Sequence, residues 1–377
     1  EARLDGPADG RVLRTRAYED RWSSRDGGVG AYLEMLAPTL EALASLLAPT
    51  GSLWVHLDWR AAYLVRAILD EILGREAFVN EIVWRRAPNL GRQAASAQFG
   101  RTLDTILVYG RTAGGRRPGP TLRPPTRLEP IDEAAIRWDD EGRPFTSAPR
   151  GDYTDASIAK LEAEGRVHRS ATGRVYIKYF LVKNAEGVWC RERRVDALWT
   201  DIAPLRHASA GERTGYPTQK PRALLERIVG CATPEGGLVV DAFAGSGTTG
   251  VAAHALGRRV ILGDASAVAI ATARARLLRD GAGVRIERLD GVAPPASGRV
   301  RVEATARRIR LVEPTEPLAW ALGTEREGVL HCRWHSERTP GTKPVPAAME
   351  AEIDGASDLA VRVWGDDGSV TTAGVPT

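Results

Sequence analysis

The sequence reads as an α/β protein built on a parallel sheet. Strand-like and helix-like segments alternate from residue 224 to 278, a glycine-rich turn separates a buried strand from a helix, and an acid closes the next strand. LLERIVGCA (224–232) has helical spacing, and GLVVDAF (237–243) is an apolar run of strand length. TTGVAAHALG (248–257) then predicts a helix, RVILGD (259–264) a strand and AVAIATARARLL (267–278) a further helix. Such a β-α-β-α order predicts parallel strands joined by a right-handed crossover.

Upstream, residues 31–47 carry apolar side chains at helical spacing, with Pro38 expected to kink the helix or to start a second turn. SLWVHLDW (52–59) predicts a strand, Ala61 to Leu73 a helix closed by Gly74, and 78–86 and 102–110 two more strands. From about 111 to 200 the segments shorten and fill with Gly, Arg and Asp, as in an inserted module, within which 151–169 reads as a capped helix. APPASG marks a boundary after Gly291, and the alternating runs of 293–377 predict a small β-rich unit.

The chain has 377 residues, 43% hydrophobic and 27% charged, which excludes disorder as its main state and allows two or three domains. No apolar run reaches the ~18 residues of a membrane helix, and the first thirty residues are too charged for a signal peptide. Three widely spaced cysteines support neither a disulfide framework nor a zinc site, and the six histidines show no ligand spacing, so no metal is expected and a reducing cytoplasm fits best. The net charge of +4 is small, but Arg85 to Arg127 holds nine arginines, among them Arg85, Arg86, Arg92, Arg116 and Arg117, against the single acid Asp104. This local +8 suits phosphates, or else a solvated linker.

Gly245, Gly247 and Gly250 satisfy G-x-G-x-x-G, and Asp264 lies 19 residues beyond the first. A P-loop is excluded because no Lys-Ser or Lys-Thr pair follows, which leaves a dinucleotide or S-adenosylmethionine. Asp241 bears on the choice, since it precedes the turn where a pyrophosphate would sit, and the repulsion is on the order of several kcal/mol at an effective dielectric of about 20. The same carboxylate attracts an ammonium or sulfonium group. His56 and Asp58, two apart in one strand, are further polar candidates for a strand-end site.

YPTQKPRALLERIV (216–229), DAFAGSGTTG (241–250) and GDAS (263–266) resemble the cofactor half of the β-class amino-DNA-methyltransferases, bacterial modification enzymes. GSLWVHLDW, NEIVWRR and RTLDTILVYGR resemble the catalytic half, and LWTDIAPL the approach to TQKP, in register from about residue 18 to 280. The resemblance implies a Rossmann-like methyltransferase fold in permuted order. The catalytic half would be 1–110, the target-recognition region 111–200 and the cofactor half 201–292, with 293–377 an accessory unit. It implies S-adenosylmethionine held by Asp241, Phe243, Gly245 and Gly247, its ribose on Asp264 and its methionine side on Thr218 and Lys220. Double-stranded DNA becomes the partner, with phosphate contacts from the basic loop, and there is room for a homodimer and a restriction partner.

The family's catalytic motif runs Asp or Ser, Pro, Pro, then Tyr or Phe. An exocyclic amino nitrogen is a poor nucleophile, so a carboxylate and a backbone carbonyl accept its hydrogens while an aromatic ring stacks on the flipped base. Here the corresponding stretch is Asp5-Gly6-Pro7-Ala8, and most members carry proline at the position of Ala242. Asp5 and Pro7 are therefore the catalytic candidates, with Tyr18 or Trp22 to supply the stack. The alternatives are an altered or late-starting N-terminus, or a DNA- and cofactor-binding subunit without turnover. Asp rather than Ser at the first position favours adenine N6 over cytosine N4. A nicotinamide-dependent oxidoreductase is a weaker third reading.

Overall fold

Apolar residues three and four apart wind residues Gly28–Ser45 into helix α1, which buries Leu36, Leu40 and Ala44 and carries Pro38 inside one continuous element. The computed structural model describes residues 28–88, 99–111 and 122–286, the segments 300–305, 308–314, 319–326, 329–337, 347–352, 359–364 and 370–375, and the backbone of 2–5 and 12–15. The chain divides into two units, Glu1–Leu122 with Thr200–Thr377, and Arg123–Trp199.

In the first unit, β1 (Ala2–Asp5) and β2 (Val12–Thr15) pair as an antiparallel hairpin, with Asp5 opposite Val12. β3 (Ser52–Leu57), helix α2 (Ala62–Leu73), β4 (Phe78–Arg85) and β5 (Leu103–Gly110) follow. β5 lies between β3 and β4 and runs antiparallel to both, so β3 and β4 are themselves parallel and α2 crosses between them. Alternation along the strands sends Leu53, Leu57, Leu107 and Tyr109 into a core with Leu36, Leu40, Val65 and Leu69 of the helices. Asp104, Ile106 and Val108 point to the other face of β5, and all three are buried.

Helix α4 (Arg222–Ala232) leads into the parallel pair β13 (Leu238–Asp241) and β14 (Arg259–Leu262), joined through α5 (Thr248–Ala255) and followed by α6 (Ala267–Arg279). The intervening residues Arg123–Trp199 make up the second unit. The Ser266 hydroxyl caps α6 by accepting from Ala269 N. After α6, β15 (Arg301–Ala304), β16 (Arg308–Glu313) and β19 (Glu350–Glu352) form one antiparallel sheet. β17 (Ala319–Arg326), β18 (Val329–Glu337), β20 (Ala360–Trp364) and β21 (Val370–Gly374) form a second. Trp320, Leu322, Val361 and Val363 pack towards the first of these sheets. Ala319, Ala321 and Trp364 turn the opposite way, onto Val251, Leu277, Leu278 and Val284, so the C-terminal strands share a core with α5 and α6. Arg362, buried, donates to Val284 O at 3.1 Å, and the Arg274 guanidinium lies 4.7 Å from the centre of the Trp364 ring.

The second unit is a sheet of β6 (Thr126–Pro130), β11 (Trp189–Arg194), β10 (Val175–Lys183), β8 (Pro144–Pro149) and β7 (Arg137–Trp138) in that spatial order. β9 (Val167–Arg169) also pairs with β10, and β12 (Leu198–Trp199) is the last element of this unit along the chain. The helix expected over 151–169 is α3 (Asp155–Ala163), capped by Thr154. Gly165, at φ 69°, then turns the chain into β9. Cations lie over aromatic rings on this sheet, Arg191 3.4 Å from the Tyr179 centroid and Lys183 4.8 Å from that of Trp189. Among the described residues no helix is long and apolar enough to cross a membrane, and no group of side chains has the make-up of a metal site.

The fully buried Tyr109 hydroxyl donates to Asp70 Oδ1 at 2.5 Å, and Arg66 Nε donates to the same oxygen at 3.0 Å. Tyr109→Phe leaves the packing intact and removes one hydrogen bond to a charged acceptor. The substitution is expected to cost about 1.5–3 kcal/mol, read as a lower urea midpoint at unchanged slope.

Candidate functional site

The turn after β13 is stapled by its two acids. Asp241 Oδ1 accepts from Phe243 N at 3.0 Å and its Oδ2 from the Thr249 hydroxyl at 2.6 Å. Asp264 Oδ2 accepts from Gly245 N at 2.8 Å and its Oδ1 from Ser266 N at 2.8 Å. Both carboxylates are half-buried, and each oxygen retains a second lone pair for a further donor. Gly245 (φ 51°) and Gly247 (φ 72°) adopt left-handed backbone. A Cβ on Gly247 would lie 2.5 Å from the Ala273 Cβ, so the close approach of turn and α6 requires glycine there. Phe243, 52% exposed, presents an aromatic ring beside the turn.

Arg276 of α6, 6% exposed, holds the turn from behind. Its Nη1 donates to Ser246 O at 2.9 Å and to the Thr248 hydroxyl at 2.8 Å. That hydroxyl in turn donates to Lys220 O at 3.3 Å, which ties the TQKP loop to the first residue of α5. The loop is held by Gln219, whose Oε1 accepts from Thr214 N and the Thr214 hydroxyl while its Nε2 donates to Glu212 O. Between these restraints Thr218 adopts φ 62°, a left-handed conformation a β-branched residue takes only where its surroundings enforce it.

A second cluster surrounds Asp104 on β5, 5% exposed. Its Oδ2 accepts from His56 Nε2 at 3.0 Å and lies 4.0 Å from Lys220 Nζ, while Oδ1 pairs with Arg86 Nε at 2.8 Å. Burial pushes the His56 imidazole below its ordinary value against the pull of Asp104, so it is neutral at pH 7 with the proton on Nε2. Burial also lowers the Lys220 ammonium. Asp104 and Asp58 oppose that fall, and Arg86 adds to it.

Asp241, Gly245, Gly247 and Asp264 thus converge on one turn, and Lys220 joins them through Thr248. His56 and Asp58 part company, His56 onto Asp104 and Asp58 onto Arg60 Nη2 at 2.6 Å beyond the end of β3. Arg86 is engaged by Asp104 and by Arg101 O at 3.0 Å. Exposed Arg85 lines a cavity of about 240 Å³ with Pro88, Ile202, Pro204 and His207. Pro7, Arg92, Arg116 and Arg117 lie outside the described residues, as do Tyr18 and Trp22, and Asp5 is described as backbone alone. Asp104 and Arg276 escaped the sequence reading, although a lone acid within a run of nine arginines was a signal for the first.

Gly247→Ala combines a left-handed backbone with a clash against α6. It is expected to destabilise the chain by about 1–3 kcal/mol, measured by chemical denaturation.

Residues 15–274 match the family model described as DNA methylase, of the N6/N4 methyltransferases. The Type II methyltransferase M.EcaI of Enterobacter cloacae is 28% identical over 267 residues, covering 65% of this chain and 57% of the relative. The Type III restriction-modification enzyme StyLTI Mod subunit of Salmonella typhimurium is 25% identical over 266 residues, covering 60% of this chain and 38% of the relative. The chain thus spans about half the length of the curated relatives it matches. A crystal structure of the M1.HpyAVI-SAM complex aligns with a TM-score of 0.38 at 19% identity, over 64% of this chain and 82% of that one. Because the family model spans well over half of the sequence, this chain belongs to the N6/N4 DNA methylase family.

Proposed function

We propose that this chain transfers a methyl group from S-adenosylmethionine to an exocyclic amino group of duplex DNA, adenine N6 in preference to cytosine N4. The acid-stapled glycine turn carries the reading. Asp241 and Asp264 flank its backbone, so a pyrophosphate would face two carboxylates in a half-buried site, whereas a ligand with ammonium and sulfonium charge is attracted. The donor set fits: Asp241 and Asp264 have spare lone pairs, Phe243 offers an exposed ring, Gly245 and Gly247 allow close approach, and Thr218 and Lys220 lie on the loop joined to the turn.

When bound, S-adenosylmethionine supplies an electrophilic methyl group. The chain's own residues do the rest. Asp5 accepts a hydrogen of the target amino group, the backbone carbonyl after it accepts the other, and the nitrogen lone pair is thereby localised for in-line attack. The aspartate at that position is what favours adenine. Arg85 and the basic loop hold DNA phosphates. The names of the relatives, Type II and Type III modification enzymes, support a role in restriction-modification and leave a homodimer or a restriction partner as the associations to test.

One observation favours a second reading, a DNA- and cofactor-binding subunit without turnover: Asp5-Gly6-Pro7-Ala8 lacks the second proline and the aromatic of the family motif. The chain incubated with methyl-labelled S-adenosylmethionine and mixed-sequence duplex, followed by nucleoside analysis, separates the two. Label on N6-methyladenine is the expected result; cofactor binding with no labelled base would transfer the conclusion to the second reading. On the DNA side, Arg85→Gln is expected to flatten the slope of log affinity against log salt by about 0.9, the loss of one phosphate contact, in a fluorescence-anisotropy titration.

A further inference from the structure

Asp104 is a buried carboxylate shared between residues from three separated segments. Arg86, just beyond β4, takes Oδ1, while His56 of β3 and Lys220 of the TQKP loop share Oδ2. A buried carboxylate is retained only when paired, and here the pairing is unequal. Arg86 is in contact at 2.8 Å, whereas Lys220 stands at 4.0 Å, beyond hydrogen-bond reach. The Lys220 backbone is fixed independently, since its carbonyl accepts from Thr248 on the glycine turn. Only the ammonium is free to answer to Asp104.

We infer that Asp104 is a positioning residue for the cofactor pocket, holding the Lys220 ammonium in its charged form at the junction of the β3–β5 sheet and the glycine turn, in competition with Arg86. The inference rests on the function proposed above, because it concerns the pocket side of Lys220. Its physical content is a balance of charges. The charged and titratable groups facing Lys220 are Asp104 on β5, Asp58 just beyond β3, Arg86 beyond β4 and the neutral His56, and Asp104 is the nearest anion in contact with this cluster. Removing its charge leaves burial and Arg86 unopposed except by Asp58. Removing the charge of Arg86 acts in the opposite sense and also releases an Asp104 oxygen for Lys220.

Two variants with opposite expected signs test this. In Asp104→Asn the Lys220 ammonium is expected to titrate at lower pH, and in Arg86→Gln at higher pH, followed by NMR of isotope-labelled lysine in the free protein with Lys220→Met to assign the signal. Binding of S-adenosylmethionine, measured calorimetrically against pH, should follow. Its alkaline limb moves to lower pH in Asp104→Asn, to higher pH in Arg86→Gln, and is missing from Lys220→Met. Arg86 is 39% exposed on its side chain, so Arg86→Gln keeps the test open should Asp104→Asn not fold. A Lys220 titration unmoved, or moved in the same direction by both variants, overturns the inference. Failure of the unaltered chain to bind S-adenosylmethionine overturns the proposed function instead, and the lysine titration still reports on Asp104.

Discussion

The buried guanidinium of Arg276 is the constraint around which the first unit is arranged. A cation 6% exposed must find acceptors inside the protein, and it finds them in the Ser246 carbonyl and the Thr248 hydroxyl at the mouth of α5. Placing those acceptors forces the chain between β13 and α5 into a tight left-handed path, which only glycine at 245 and 247 takes without strain. The Thr248 hydroxyl, already accepting from Arg276, spends its own hydrogen on Lys220 O and so anchors the TQKP loop. Turn, loop and α6 are therefore one hydrogen-bonded body.

Three acids divide the remaining work. Asp241 and Asp264 each clamp two local donors and shape the turn as well as charging it. Asp104 works at longer range and joins strands to loop. The difference follows from burial: half-exposed Asp241 and Asp264 keep lone pairs beyond the two bonds each makes, whereas Asp104, closed off from water, has its capacity taken up by Arg86, His56 and the nearby Lys220. His56, neutral through burial, donates to that carboxylate without adding charge.

The C-terminal strands show how a β-rich segment becomes part of an α/β unit. Alternation along β17 sends Trp320 and Leu322 to one side and Ala319 and Ala321 to the other, so its sheet is buried on both faces. Small alanines on the face towards α5 and α6 allow close approach, and Trp364 with Arg274 fills the remaining gap. The alternation is visible in the sequence; which face meets the helices is not.

Sequence alone determined the elements whose causes lie within a few residues: the strand before the glycine turn, the glycines that permit the turn, the acid after the next strand, and the helices on either side. Backbone conformation there answers to period, cap and allowed φ. Even so, the helix expected across 151–169 stops at Ala163, because Gly165 turned the chain. Only the tertiary structure decided that β3 ends at Leu57, so that His56 on the strand and Asp58 beyond it serve different partners, that Arg86 pairs with the single acid of its basic run, and that Lys220 stands near the same carboxylate. Those contacts join residues far apart along the chain. Their strength depends on distance and burial, which exist only after the sheet has brought β3, β4, β5 and the TQKP loop together.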